Sequence, residues 1–323
     1  MLAFSALSGG RVEVRARAKV NLGLEVLGRR ADGYHELRSV MWAIELADRV
    51  TLEASRGGIA LECAAPDVPR TPDNLAWRAA ELVRRETGSA TGVRIRIEKR
   101  IPVAAGLGGG SADAAAVLAG LGYLGRRRLG RRRLEALAVT LGMDVPFFLG
   151  RSPALAWGRG EELRPVQAST DLSLVIANPG FPLATRDVYA RLEPGDYGDG
   201  RRVDALVTAL RRGTAAVAAA VANGLERAAA RLWPGLTEIK AALVGAGCLA
   251  ALMSGSGPTV FGIAPSHRAA LRIRDALGTQ PWRLWVARTV TGPVLTIRGG
   301  APARGRSGIR RQRAGTTWGV AKW

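Results

Sequence analysis

From Arg11 the chain alternates with a period of two. Val12, Val14, Ala16, Ala18, Val20, Leu22, Leu24 and Val26 fall on one face, and Arg11, Glu13, Arg15, Arg17, Lys19, Asn21 and Glu25 on the other. The alternation predicts one long half-buried strand, or two joined by a bend, because successive side chains of an extended chain point to opposite sides. Lys19 and Asn21 then share the polar side, two residues apart. Residues 28–35 carry an Asp-Gly turn signal and read as a loop. Strands are predicted over 49–53, 59–63 and 93–98, and a helix over 75–87 with Asp73 as its cap. After 165 a second unit opens with a strand over 172–177 and a Pro/Gly-rich loop over 178–185. Helical periodicity follows at 203–211, 215–222 and 236–243. Strands over 248–253 and 259–264 flank a Ser/Gly turn, a helix covers 267–277, and a strand over 282–290 closes the unit. The pattern divides the chain into domains over 1–165 and 166–298. A basic Gly/Arg-rich tail over 299–323 has no acidic residue and predicts disorder.

The centre of this pattern is Pro102-Val-Ala-Ala-Gly-Leu-Gly-Gly-Gly-Ser-Ala-Asp-Ala-Ala-Ala116, which joins the strand over 93–98 to an Ala/Leu-rich helix ending near 124. Gly106, Gly108, Gly109 and Gly110 let the backbone approach a ligand closely, and Ser111 is placed to cap the helix. Free N–H groups and the positive end of the helix meet there, which suits phosphate. The string is neither a P-loop, since no Gly-Lys-Ser/Thr closes it, nor Gly-x-Gly-x-x-Gly. Asp113 in the first turn either complements the helix dipole or, with Ser111, offers oxygen to a divalent cation beside a phosphate.

Other candidate chemistry is scattered. Tyr34 and His35 form an adjacent aromatic–imidazole pair, either structural or able to stack on a base and bind its edge. Asp144 lies among apolar residues in Leu141-Gly-Met-Asp-Val-Pro-Phe-Phe148, so it is either buried with a partner or poised in a cleft. Residues 125–133 hold two triple-arginine runs, expected to form a solvated helix face or loop.

Composition changes this picture little. The formal charge of +20 attracts anions in general, but the cations are mostly Arg in an Ala- and Gly-rich chain, which fits a coding bias as well as a binding surface. Cys63 and Cys248 alone cannot build a disulfide framework or a cysteine metal site. Residues 1–7 are apolar but too short for a signal peptide, and no apolar run reaches about eighteen residues. A soluble cytoplasmic protein is expected, as monomer or homodimer.

Taken in order, several strings resemble the GHMP family of small-molecule kinases. They are Ala18-Lys-Val-Asn-Leu22, Arg30-Ala-Asp-Gly-Tyr-His35, Asp73-Asn-Leu75, Lys99-Arg-Ile-Pro102, the glycine turn, the segment around Asp144, Asn223-Gly-Leu-Glu226 and Met253-Ser-Gly-Ser-Gly-Pro-Thr-Val-Phe261. The resemblance implies a two-domain α+β fold, an N-terminal domain like ribosomal protein S5 and a ferredoxin-like C-terminal domain, with the active site in the cleft between them. It implies transfer of the γ-phosphoryl of ATP, with Mg²⁺, to a hydroxyl of a cytidine-diphospho sugar alcohol.

On the same footing Asp144 matches the family's general base and Lys19 its catalytic lysine. Asn21, Tyr34, His35, Thr185 and Tyr189 match substrate contacts. Asn74, Leu75 and Lys99 match the adenine pocket. Pro102, Val103, Ala104, Ala105, Gly106, Leu107, Gly108, Gly109, Gly110, Ser111 and Ala112 match the ATP cradle. Many relatives carry a second Ser where this chain has Ala112. A mevalonate- or homoserine-type kinase would keep both glycine turns without needing Tyr34 and His35. A basic nucleic-acid-binding protein would instead work through its arginines and have no need of Asp144; no specific nucleic-acid or membrane partner is expected.

Overall fold

The computed structural model of the chain describes residues 11–124 and 129–299. The expected disordered tail, the short apolar N-terminus and the first arginine run lie almost wholly outside them.

Two long strands, β1 (Arg11–Arg29) and β2 (His35–Ser55), form a hairpin that is the spine of the molecule. After it come β3 (Ile59–Cys63), α1 (Leu75–Thr87), β4 (Gly92–Glu98), α2 (Gly109–Leu124), α3 (Arg131–Leu141), α4 (Val145–Leu149), β5 (Arg151–Ser152), β6 (Ala154–Trp157) and β7 (Glu162–Pro165). The period-two pattern reveals only 49–53 of β2. Its middle, Val40 to Ile44, is apolar without alternation because both faces are covered, so no polar side exists to mark the strand. The cap of α1 is Asn74, whose side chain accepts the Ala76 N–H, in place of the expected Asp73.

The alternation of β1 is interrupted by register shifts between Arg17 and Lys19 and between Asn21 and Gly23. Bulges turn a strand relative to its sheet. Its apolar residues therefore feed three cores in turn: Val12 and Val14 the first, Ala18, Val20 and Leu22 the second, Leu24 and Val26 the third. The polar face is no solvated surface at its centre: Lys19, Asn21 and Glu25 are each 4% exposed or less.

The second unit comprises β8 (Ser173–Asn178), α5 (Thr185–Tyr189), α6 (Arg201–Ala209), α7 (Thr214–Ala220), β9 (Ala222–Asn223), α8 (Glu226–Leu232), α9 (Gly235–Gly245), β10 (Ala250–Met253), β11 (Val260–Ala264), α10 (His267–Ala276) and β12 (Arg283–Arg288). Helices α5 and α8, of five and seven residues, are too short to show a helical period and are missed by it. The four-stranded sheet runs β12-β8-β11-β10, antiparallel throughout. In chain order among these four strands this is fourth, first, third, second, the ferredoxin-like arrangement.

The chain does not end in that unit. It returns through β13 (Gly292–Pro293), paired with β5, to β14 (Leu295–Gly299), which pairs antiparallel with β1 from Val12 to Ala16. Residues 292–298, expected in the second domain, thus return to the first: β14 completes its sheet, whose central order is β14-β1-β2-β4-β3, while β13 and β5 form a separate two-stranded pair. An open edge on β1 would leave a row of unpaired backbone groups, and β14 satisfies them. Among the described residues no helix is long and apolar enough to cross a membrane.

Candidate active site

Lys19 stands at the first bulge of β1, its side chain 4% exposed, with Nζ 3.4 Å from Oδ2 of Asp144 and 2.5 Å from Oδ1 of Asn21. Asn21 Nδ2 donates to Ser39 Oγ at 2.8 Å, and Ser39 donates to the Gly23 carbonyl at 2.7 Å. The ammonium is thus oriented by a chain of neutral partners from both long strands. Asp144 precedes α4 without capping it, so its carboxylate, 36% exposed, remains open to the cleft. The helix behind it is anchored by Phe147 and Phe148, both buried and in edge-to-face contact at 5.3 Å. A buried cation thus lies beside a carboxylate that solvent and substrate can reach.

The glycine turn lies directly against this pair. Gly106 and Gly108 have φ of +75° and +72°. A Cβ at Gly106 would lie 2.1 Å from the Ser254 carbonyl oxygen, and one at Gly108 would lie 2.7 Å from the Phe148 ring and 3.2 Å from Lys19 Cγ. Both conformation and space therefore demand glycine. The helix begins at Gly109, with Gly108 O accepting the Ala112 N–H at 2.9 Å. Ser111 is therefore inside the first turn of α2 instead of capping it. The Ser/Gly turn over 254–257 meets the first one: Ser254 Oγ donates to Gly106 O at 3.0 Å.

A cleft of about 1100 Å³ runs past both turns. It is lined by Lys19, Asn21, Tyr34, His35, Leu75, Ala104, Ala105, Gly106, Gly108, Gly109, Gly110, Ser111, Asp144, Thr185 and Tyr189, all expected from the sequence. Other expected positions lie off it. Val103 is exposed, Leu107 and Ala112 are fully buried, and Pro102 is half-buried beside them. The Asn74 side chain is occupied by its capping bond and by donation to Pro69 O at 2.8 Å.

Two expectations need correction. Lys99, expected at the adenine pocket, and Asp113, expected beside a cation, are not among the residues lining the cleft and pair with each other. Lys99 Nζ bridges Asp48 at 2.5 Å and Asp113 at 2.9 Å, and all three side chains are at most 8% exposed. Asp48 Oδ1 also accepts the N–H groups of Arg100 and Ile101 at 2.6 and 2.9 Å. Burial pushes the Asp113 carboxyl up to about 7, against the pull of Lys99 and with the repulsion of Asp48. The cluster ties β2, the start of the glycine turn and the start of α2 together. Their apolar surroundings in the folded chain, invisible in sequence, decide this use.

At the other end of the cleft the aromatic groups gather. The His35 ring lies 4.9 Å from Tyr189 and 6.4 Å from Tyr197, nearly parallel to the latter. Tyr34 is half exposed, with the Arg159 guanidinium 5.1 Å from its ring centre. Burial, then nearby Arg29, lowers the His35 pKa from 6.5, so the ring is neutral at pH 7. Burial, then Asp144, raises that of Tyr189, which stays a phenol. Thr185 Oγ1 shares a hydrogen bond with Ser256 Oγ at 2.8 Å, joining the second unit's loop to its glycine turn. Sequence reasoning missed Tyr197, Arg159, Ser39 and Ser256 as cleft residues. Arg159 had a faint signal, since Gly158 and Gly160 flank it. Tyr197 had none.

Among the described residues no group of three or more His, Cys, Asp or Glu could hold a metal. With Asp113 turned inward, the turn offers Ser111 as the neutral oxygen facing the cleft. This donor set fits a cation carried mainly by phosphate oxygens and water, as Mg²⁺ with a nucleotide commonly is.

Comparison with known proteins adds independent findings. The family description "GHMP kinases N terminal domain" matches residues 74–151, and "GHMP kinases C terminal" matches residues 205–283. A 4-diphosphocytidyl-2-C-methyl-D-erythritol kinase of Symbiobacterium thermophilum is 44% identical over 281 residues, covering 86% of this chain and all of that one. Another from Geobacter sulfurreducens is 41% identical, covering 87% and 99%. A solved 4-(cytidine 5′-diphospho)-2C-methyl-D-erythritol kinase superposes with a TM-score of 0.74 at 42% identity, over 87% of this chain and all of that one. A homoserine kinase from Cytophaga hutchinsonii superposes at 0.70 with 19% identity, over 89% and 97%, a likeness of fold alone.

Proposed function

The chain belongs to the GHMP kinase family, within it to the 4-diphosphocytidyl-2-C-methyl-D-erythritol kinases, and from that footing we propose how its cleft works. The reaction moves the γ-phosphoryl of ATP to the 2-hydroxyl of 4-(cytidine 5′-diphospho)-2-C-methyl-D-erythritol in the non-mevalonate route to isoprenoid precursors, giving the 2-phosphate and ADP. The observation that carries the mechanism is the approach of Lys19 to Asp144 at 3.4 Å beside the glycine turn.

A secondary alcohol is barely acidic, so its proton must pass to a nearby carboxylate as the new O–P bond forms. Asp144, open to the cleft, takes that proton, a contribution of about 10²–10⁴-fold. Lys19 offsets the negative charge that gathers on the transferring group, and its burial makes that charge count for more than it would in water. Asn21 fixes the ammonium and reaches toward the sugar alcohol. The N–H groups at the start of α2 receive the ATP phosphates, and Leu75 packs toward the base. Bound Mg²⁺, with Ser111 as the candidate protein oxygen, supplies charge neutralisation on the phosphates. Tyr34, His35 and Tyr189 hold the cytosine, and Thr185 contacts the remainder of the substrate. The enzyme works in the cytoplasm, where ATP is available.

The aromatic end of the cleft favours a pyrimidine-bearing substrate over mevalonate or homoserine, which have no ring to stack. The nucleic-acid reading loses support from the second arginine run, where Arg131 pairs with Glu135 and Arg133 with Glu86 as ordinary surface ion pairs. Offering the three alcohols with ATP and Mg²⁺ and following ADP release tests the assignment. Turnover of the cytidine substrate alone is expected; turnover of either other alcohol without it overturns the reading.

A further inference from the structure

The segment Asn223-Gly-Leu-Glu226 is part of the family resemblance, yet neither Asn223 nor Glu226 lines the cleft. Asn223 is buried on β9, which pairs parallel with β1 beside Gly23 and Leu24. Its Nδ2 donates to two carbonyls, Met253 O at 2.9 Å and Gly255 O at 2.8 Å, while Oδ1 accepts the Leu225 N–H at 2.9 Å. A carboxamide is the group that offers two donors on one side and an acceptor on the other, so the network fixes both the residue type and its orientation. Glu226 grips the same segment: Oε1 accepts the Met253 N–H at 2.8 Å, and Oε2 accepts from Lys240 at 2.5 Å.

The segment so held enters the Ser/Gly turn. Ser254 Oγ bonds Gly106 O and lies 3.4 Å from the Asn21 N–H that points to it. Gly255, with φ of +57°, lies so near the catalytic pair that a Cβ there would be 3.3 Å from Lys19 Nζ and 3.4 Å from Asn21 Oδ1. We propose that Asn223 and Glu226 are positioning residues that hold this turn as the wall setting Lys19 toward Asp144. The inference rests on the kinase reading above and extends it to two residues that touch no substrate.

Asn223→Asp keeps the shape but sets a carboxylate oxygen against two carbonyl oxygens, so the turn is pushed off Lys19. The expected result is a fall in kcat of about 10²-fold with both KM values within about threefold, as for a misplacement remote from the chemistry. The decisive readout is a double-mutant cycle with Lys19→Met. If the turn acts through Lys19, Asn223→Asp adds no further loss of kcat in that background. A purely packing role multiplies the two losses, and that outcome, or a normal kcat in folded Asn223→Asp, overturns the proposal. Should Asn223→Asp fail to fold, Glu226→Leu and Glu226→Gln carry the test. The first strips the acceptor from Met253 N–H and should behave like Asn223→Asp in the cycle; the second keeps an acceptor and should restore kcat. Equal kcat in the two overturns the inference. Wild-type turnover of the cytidine substrate is measured first: its absence counts against the function, whereas normal turnover with no coupling counts against the positioning role alone.

Discussion

Two side chains carry the sharpest consequences at the residue scale. Asp144→Asn keeps the shape and removes the proton acceptor, so kcat should fall by about 10²–10⁴-fold with ATP affinity nearly unchanged. Steady-state kinetics and calorimetry with an ATP analogue check this, and near-normal turnover would remove Asp144 from the base role. His35 yields a pH prediction. Its pKa is depressed below 6.5 by burial and then by Arg29, so the imidazole is neutral above that pH and takes a proton only as the pH falls further. The unfolded chain takes up that proton first, so acidification below 6.5 also favours unfolding. Binding of uncharged cytidine should be flat above pH 6.5 and weaken below it, because a protonated ring can no longer accept a hydrogen bond from the base. A His35→Gln variant should bind with no such step. Both residues were legible before folding, Asp144 from a carboxylate among apolar neighbours and His35 from the Tyr-His pair. Tyr197 was not, since a lone tyrosine in a loop carries no pattern.

At the scale of elements, the turn between β4 and α2 lies against Lys19 and Phe148, and the Asp48–Lys99–Asp113 cluster ties its start to β2. Lys99→Met leaves two buried carboxylates facing each other without their cation. Breaking a buried pair in this way costs about 3–5 kcal/mol, read as a lower urea midpoint at unchanged slope. A loss under about 1 kcal/mol would mean that the cluster is dispensable. Sequence spacing exposed the glycine turn as a candidate phosphate site because strand, glycines and helix are contiguous there. It could not separate Ser111, which faces the cleft, from Asp113 two residues on, which faces inward. Successive helical positions point in different directions, and which of them meets solvent depends on what packs against α2.

Over the whole molecule, the returning strand β14 binds the last described strand to the first. Removing residues 300–323 should leave kcat and both KM values unchanged, whereas removing 289–323 strips β14 from β1 and should lower thermal stability sharply. Circular dichroism melts distinguish the two, and equal melting temperatures would show that β14 is not needed to complete the sheet. This architecture also sets the limit between sequence and fold. Contiguous patterns by themselves determined the glycine turn, the period of β1, most helices and, through the order of motifs, the family. Tertiary structure alone decided that Lys19 and Asp144, 125 positions apart, meet at 3.4 Å. It also decided that β14, residues 295–299, closes the first sheet and that Lys99 and Asp113 pair beside the turn. The reason is physical: local pattern records which face of an element is apolar, but the identity of the group facing it across the core is set by which distant surfaces pack together.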